Sequence, residues 1–245
     1  MLKKQESIER VNALQTRAVQ ALLIVLSVTA GCTDVIGFLG LNGLFTAHIT
    51  GNLVILAAHL AAGDKATLAH VLAVPVFAIV VSSTTVLADG LEAKGWTPLR
   101  PLLLLQALLL AGALMLCVMA GPRLQPNAAE GILAGMLSVS AMAVQHALVQ
   151  ISIDGAPSTA VMTSNVTRFA IAVGEVLIQR DPASVSTARA RAARTWPPIA
   201  GFAIGCGIGA GCEAVLGMRA LILPTGLALV AFAMSGALES NRARS

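Results

Sequence analysis

Charge is what this chain lacks most. Only 11% of its 245 residues are Asp, Glu, Lys or Arg, against about 25% in an ordinary soluble domain. A further 56% are apolar, and the mean hydropathy is +0.82. A soluble core would have to hide several uncharged runs of about 20 residues, the length a bilayer requires of a crossing helix. The composition therefore excludes a soluble domain and implies an integral membrane protein.

Aromatic residues are scarce too, at 3%, and tyrosine is absent. The net charge of +4 is spread over tails and connections, with no basic stripe interleaved with aromatics, so nucleic acid is excluded as a partner. Cys32, Cys117, Cys206 and Cys212 all lie in apolar segments and read as packing residues, not as a disulfide framework or a metal site. The metalloprotease HExxH, the hydrolase GxSxG and the P-loop lysine are all missing. An enzyme is not expected, nor is a cofactor. The N-terminal TAGC string is a poor lipoprotein box, and the segment reads as a first membrane helix.

Apolar runs fall at roughly 18–40, 43–62, 67–88, 99–120, 130–151, 157–178, 197–217 and 219–237. None alternates strictly in and out as a barrel strand would. The expected fold is all-α, a polytopic bundle of about eight helical segments. Breakers separate them, among them Asn42-Gly43, Gly63-Asp64-Lys65, Gly121-Pro122-Arg123, Asp154-Gly155 and Pro197-Pro198. The turns at 41–43 and 217–219 are very short. Either is a true loop, a kink or a re-entrant bend, so the number of crossings lies between six and eight.

With eight crossings, Arg17, Lys65, Arg123, Arg180, Arg189, Arg191, Arg194 and both tails fall on one side, and Lys94, Arg100 and Arg219 on the other. The positive-inside rule then puts both termini in the cytoplasm. The 179–195 connection reads as a cytoplasmic amphipathic helix or loop against anionic headgroups.

An internal recurrence divides the single 1–245 membrane domain into halves at 17–124 and 125–240. LSVTAGCTDVIGFLGLNGLFTAHITGN (26–52) aligns with LSVSAMAVQHALVQISIDGAPSTAVMTSN (137–165), at an offset that grows from 111 to 113. Four crossings per half would give the halves one orientation; three would invert them.

Polar residues concentrate in this recurrence. Folding helices 1 and 2 back to back brings Asp34 level with Thr46, His48, Thr50 and Asn52, and the second half would align Gln145 and His146 with Thr163 and Asn165. An ionisable group in a span is costly and faces the bundle interior or a water cavity. Asp34 thus has three readings: solvation near an interface, a structural hydrogen bond within the hairpin, or a proton or cation site. His48 and His146 are relay candidates near neutral pH or packing partners. Arg168 wants a carboxylate, either Asp154 or Asp34. Gly201, Gly205 and Gly209, and separately Gly207 and Gly211, carry the small-xxx-small spacing of close helix contacts.

The stretch GCTDVIGFLGLNGLFTAHITGNLVILAAHLAAGD, residues 31–64, resembles the hallmark of the YoaK family, also called DUF1275. Gly31, Asp34, Phe45, Thr46, Thr50, Gly51 and Asn52 carry the likeness. The resemblance implies a bacterial inner-membrane protein and implies no substrate. Together these readings lead to the expectation of a bilayer-embedded protein, monomeric or a homo-oligomer. It binds or moves a small solute or proton between two similar halves, at a single polar level. A non-transporting scaffold or partner subunit is the alternative.

Overall fold

The computed structural model describes residues 2–63, 67–121, 124–153, 155–160, 162–178 and 181–242, with side chains described within these from 17 to 236 and at 238. Lys65, Arg123, Asp154 and Arg180 lie outside the described residues. The described chain is all helical: α1 (Leu2–Gly40), α2 (Ile49–Ala62), α3 (Leu68–Glu92), α4 (Leu99–Ala120), α5 (Ala129–Ser152), α6 (Met162–Ile178), α7 (Pro182–Leu216) and α8 (Ile222–Arg242), with a 3-10 turn at Gly217–Leu221. Arg17–Gly40, α3, α4 and α5 are each long and apolar enough to cross a membrane, and the stretch Pro182–Gly236 supplies α7 and α8. Large apolar side chains such as Ile79, Val86, Leu108 and Val215 face outward, as lipid-facing residues do.

The direction of each helix follows from what it touches. Gly201, Gly205 and Gly209 of α7 meet Ile24, Val28 and Cys32 of α1 in ascending order, so these helices run parallel. Along α5 the order reverses: Gly135 lies against Leu41 and Leu44, whereas Gln145 reaches the Leu26 carbonyl. Helix α5 therefore opposes α1. Arg100, near the start of α4, lies beside Gly236, and Gly121 at its end lies beside Arg219, so α4 and α8 are antiparallel.

These directions leave six long helices running alternately through the bundle, α1, α3, α4, α5, α7 and α8, with their two halves oppositely oriented. The eight-crossing arrangement fails because neither α2 nor α6 runs on through the bundle; each turns back toward the side it entered from. The chain turns at Asn42 and Gly43, both at positive φ, and enters the bundle as extended chain. It reverses at His48. Helix α2 then climbs back out, with Asn52 beside Phe45 and Ile55 beside Gly43. At 14 residues, α2 is about 21 Å long, well short of the hydrocarbon thickness. The second hairpin has the same form: Asn165 returns to Ser158, and Arg168 shares a pocket with Ile153 and Gly155.

Helix pairings correspond between halves. Helix α1 packs on α7 and α8, as α5 packs on α3 and α4, and α4 meets α8 across the centre. The α1–α7 seam is closest. A Cβ on Gly205 would stand 2.3 Å from the Val28 carbonyl, and one on Gly31 would stand 2.2 Å from the Phe202 carbonyl. Only glycine permits that approach. Gly207 and Gly211 meet nothing within 4 Å, so one of the two glycine stripes packs and the other faces outward.

One expected break is absent. Helix α7 runs unbroken through Pro197 and Pro198, so the amphipathic connection is the first turns of a membrane helix, held to α6 by the Arg191–Glu175 ion pair. Thr195 donates to the Arg191 and Ala192 carbonyls just before the prolines.

Candidate functional site

Extended backbone inside a bilayer must find a partner for every amide, because lipid offers none. In the first hairpin the accounting closes over six consecutive residues. Gly43 N–H donates to Phe38 O and Leu44 N–H to Leu41 O. Phe45 N–H donates to the Asn52 side-chain oxygen at 2.9 Å. Thr46 and Ala47 N–H donate to Asp34 Oδ1 at 2.8 Å each, and His48 N–H does so at 3.4 Å. Asp34 thus gathers three amides, the Thr46 hydroxyl and His48 Nδ1, the last on Oδ2 at 2.7 Å. Asn52 completes the clamp by donating to Phe45 O at 2.7 Å.

The geometry explains the Thr50-Gly51-Asn52 string residue by residue. Asn52 is fully buried and holds Phe45 by both backbone groups. Gly51 lets the Phe45 ring lie on the backbone; a Cβ there would be 2.7 Å from Phe45 Cδ2. Thr50 is exposed and borders a crevice.

That crevice has a volume of about 520 Å³, within the range of small-molecule sites. It lies between α1, the first hairpin and α7, with Asp34 and His48 at its base and Phe38, Phe45, Phe202 and Cys206 on its walls. Because α7 belongs to the second half, the crevice is a junction between halves. The Asp34 side chain is 5% exposed and that of His48 34% exposed, so the imidazole is the polar face that the crevice presents. With Nδ1–H given to Asp34, Nε2 is left as the acceptor, the orientation that a carboxylate imposes on histidine. No group of three His, Cys, Asp or Glu side chains converges among the described residues; the crevice is bordered by three phenylalanines and the His48 imidazole.

The second hairpin is anchored by a neutral amide. Gln145 donates to Thr159 Oγ1 and to Leu26 O, both at 2.9 Å, and accepts from Gln106 at 2.7 Å. The offset of 111 that aligns Ser27 with Ser138 also sets Gln145 where Asp34 stands, and the offset of 113 pairs Thr46 with Thr159 and Asn52 with Asn165. Asn165 donates to Ser158 O at 2.6 Å, but its Oδ1 has no partner.

The structure does not put the two clusters at one level. Gln145 meets α1 at Leu26, eight residues before Asp34, so the clusters lie about 12 Å apart along α1. Inversion is the physical reason: one hairpin enters from each side. Their tips approach in the middle, where Ala30, Ala47, Ala141 and Ala160 belong to one packed cluster. Asp34, Thr46, His48, Thr50 and Asn52 come together; Gln145 and Asn165 hold the other hairpin. Thr163 is exposed and outside both clusters. Arg168 is exposed and borders a separate polar pocket of about 290 Å³ with Gln150 and Ser164. It does not approach Asp34, since α6 carries it back toward the opposite membrane face. His146 bonds Met142 O and packs edge-on against Phe77.

Sequence reasoning missed Phe38, Phe202, Cys206 and Gln106. The pairing of Gln145 with Asp34 was available from the alignment offset. Nothing in the sequence marks Phe202, which reaches the site only because the α1–α7 seam is glycine-thin.

Comparison with curated proteins and with solved structures found no match. A family model does: the one described as a protein of unknown function, DUF1275, covers residues 22–234, from the first spanning helix to the last, and the chain belongs to that family.

Proposed function

We propose that this membrane protein is a permease-like carrier of a small solute. Its binding site is the crevice between the halves, with the Asp34–His48 pair as the proton-responsive element. The observation that carries this reading is the pair of discontinuous hairpins. Two oppositely oriented halves each send an unwound segment into the bundle, and the following helix begins inside the membrane. Transporters build their sites in this way, because unwound backbone and half-helix ends supply polarity at depth. On this reading no chemistry is performed on the solute.

The topology proposed is that of a bacterial inner membrane with both termini cytoplasmic. Six crossings keep the termini on one side. By sequence order Arg17, Lys94, Arg100, Arg180, Arg189, Arg191 and Arg194 then fall on the cytoplasmic side, with Lys65, Arg123 and Arg219 outside. Trp96 and Trp196, both largely exposed, mark that same interface.

A specific observation favours a second reading, a non-transporting scaffold: Asp34, Asn52 and Gln145 are all engaged in holding backbone. Water access separates the two. With Cys32, Cys117 and Cys212 replaced by alanine, Cys206 and an introduced Thr50→Cys report on the crevice. A carrier predicts modification of both by a membrane-impermeant thiol reagent from at least one face of sealed vesicles. It also predicts proton movement in proteoliposomes that Asp34→Asn removes. Cysteines unreactive from both faces, with proton movement unchanged, would establish the scaffold.

A further inference from the structure

We infer that the crevice takes a lipophilic organic cation, a bulky hydrophobic molecule carrying one delocalised or ammonium charge. The inference rests on the carrier reading for its biological sense, but the binding site stands on its own geometry.

The walls come first. The chain has six phenylalanines and no tyrosine, yet Phe38, Phe45 and Phe202 all border this one cavity. They form a continuous arc with the imidazole: Phe38 to Phe45 4.8 Å between centroids, Phe45 to His48 6.1 Å, and His48 to Phe202 5.3 Å. In an aromatic-poor protein such a gathering requires a reason. Packing alone does not supply one, since the rings enclose open volume instead of filling it. Ring faces carry negative potential and attract cations, most strongly where water is excluded.

The base of the cavity agrees in sign. Asp34 is a carboxylate at that depth, and the pair carries one negative charge whenever the imidazole is neutral. The α2 N-terminus and the three amides offset part of it. The remaining acceptor facing the cavity is His48 Nε2, suited to an ammonium N–H. An organic anion would meet ring faces and a carboxylate, both unfavourable. The opening between α1, α2 and α7 lies among helices whose outer faces are apolar, with Val54 70% exposed, so a lipid-soluble molecule has a route in. The corresponding hairpin of the second half has Ser158 where Phe45 stands and Gln145 where Asp34 stands, and no such cage.

The test uses the purified full-length protein in detergent and two probes of one shape and opposite charge, tetraphenylphosphonium and tetraphenylborate, each corrected against empty micelles. Saturable tetraphenylphosphonium binding is expected, with tetraphenylborate at least ten-fold weaker. Phe202→Leu, which keeps bulk and removes a ring, is expected to weaken binding about ten-fold. Cys206→Trp, which fills the cavity, is expected to abolish it. Both variants must elute as the parent does. Asp34→Asn is expected to weaken the cation further, and its fold is checked by melting.

Equal or tighter tetraphenylborate binding overturns the charge assignment and leaves an apolar or acyl-chain pocket. Cation binding indifferent to both Phe202→Leu and Cys206→Trp overturns the site. If Cys206 is water-accessible but no cation binds, the substrate class fails and the carrier reading stands. If the cation binds while Cys206 stays shielded from both faces, the cage stands and the carrier reading fails.

Discussion

The two re-entrant hairpins solve the same backbone problem with different chemistry. At the first, a carboxylate gathers the unwound amides and a histidine stands between it and an aromatic crevice. At the second, an uncharged amide bridges Thr159, Leu26 and Gln106 and is fully buried. One geometry is thus realised once with an ionisable pair, and once with an uncharged amide network that leaves Gln106 Oε1 and Asn165 Oδ1 without a partner. The lesson is a division of labour: the fold needs a polar anchor at both tips, whereas among the described residues the ionisable anchor is at the first tip. Charge in a dry site is costly, and a neutral amide would anchor the first hairpin more cheaply. Asp34 is therefore the residue whose retention most needs a function beyond holding the hairpin.

Several substitutions sharpen or break this contrast. The largest effect belongs to the anchors. Asp34→Ala strands three amides and His48, and is expected to cost about 3–5 kcal/mol. Gln145→Ala strands the buried, uncharged Gln106 amide rather than a charge and is expected to cost about 1–3 kcal/mol. Unfolding in mixed micelles would measure both, and equal costs would remove the distinction between the tips.

The seam comes next. Gly205→Ala drives a methyl into the Val28 carbonyl and is expected to cost about 1–3 kcal/mol. Gly207→Ala, on the outward stripe, is expected to stabilise by about 0.5–1 kcal/mol. If both behaved alike in the same assay, α1 and α7 would not meet as described.

Between the asparagines, Asn52→Ala loses two backbone bonds and Asn165→Ala one. At about 1 kcal/mol per bond, the first should destabilise about twice as much as the second.

The smallest effect is at the membrane surface. Asp181 caps α7, and hydrogen bonds from the Ser184 hydroxyl and amide hold its carboxyl below the ordinary 3.8. A carboxyl acid-shifted by folding stabilises above its unfolded value and loses that contribution as pH falls through its folded one. The first turn of α7 should therefore loosen only below the usual carboxylate range. Asp181→Ala should speed amide exchange at Ser184 at neutral pH and leave the rest of the chain unchanged.

Much of this was legible in the residues. Long uncharged runs can only be membrane helices, so the all-α bundle follows from composition. The 26–52 and 137–165 recurrence located both hairpins, and Asp34, Thr46, His48 and Asn52 were identifiable because polar groups in an apolar run require partners. The direction of α2 was not legible. The mostly apolar run at 43–62 after Asn42 is compatible with crossing and with turning back, since hydropathy reports the surroundings of a helix and not its heading. That choice, with the matching one for α6, decided the number of crossings, the inversion of the halves, the separation of the polar clusters and the remoteness of Arg168.

By itself, the sequence determined that the chain lives in lipid as helices, that its halves are alike, and that a small set of polar side chains must be satisfied within it. Only the tertiary structure decided which partners satisfy them, and that Phe202 and Cys206 of α7 close a crevice over Asp34 and His48. The reason is physical. Burial and periodicity are properties of a segment and can be read along it. A cavity is a property of distant segments brought together by a close seam, here the glycine contact of α7 with α1, and no single stretch encodes it.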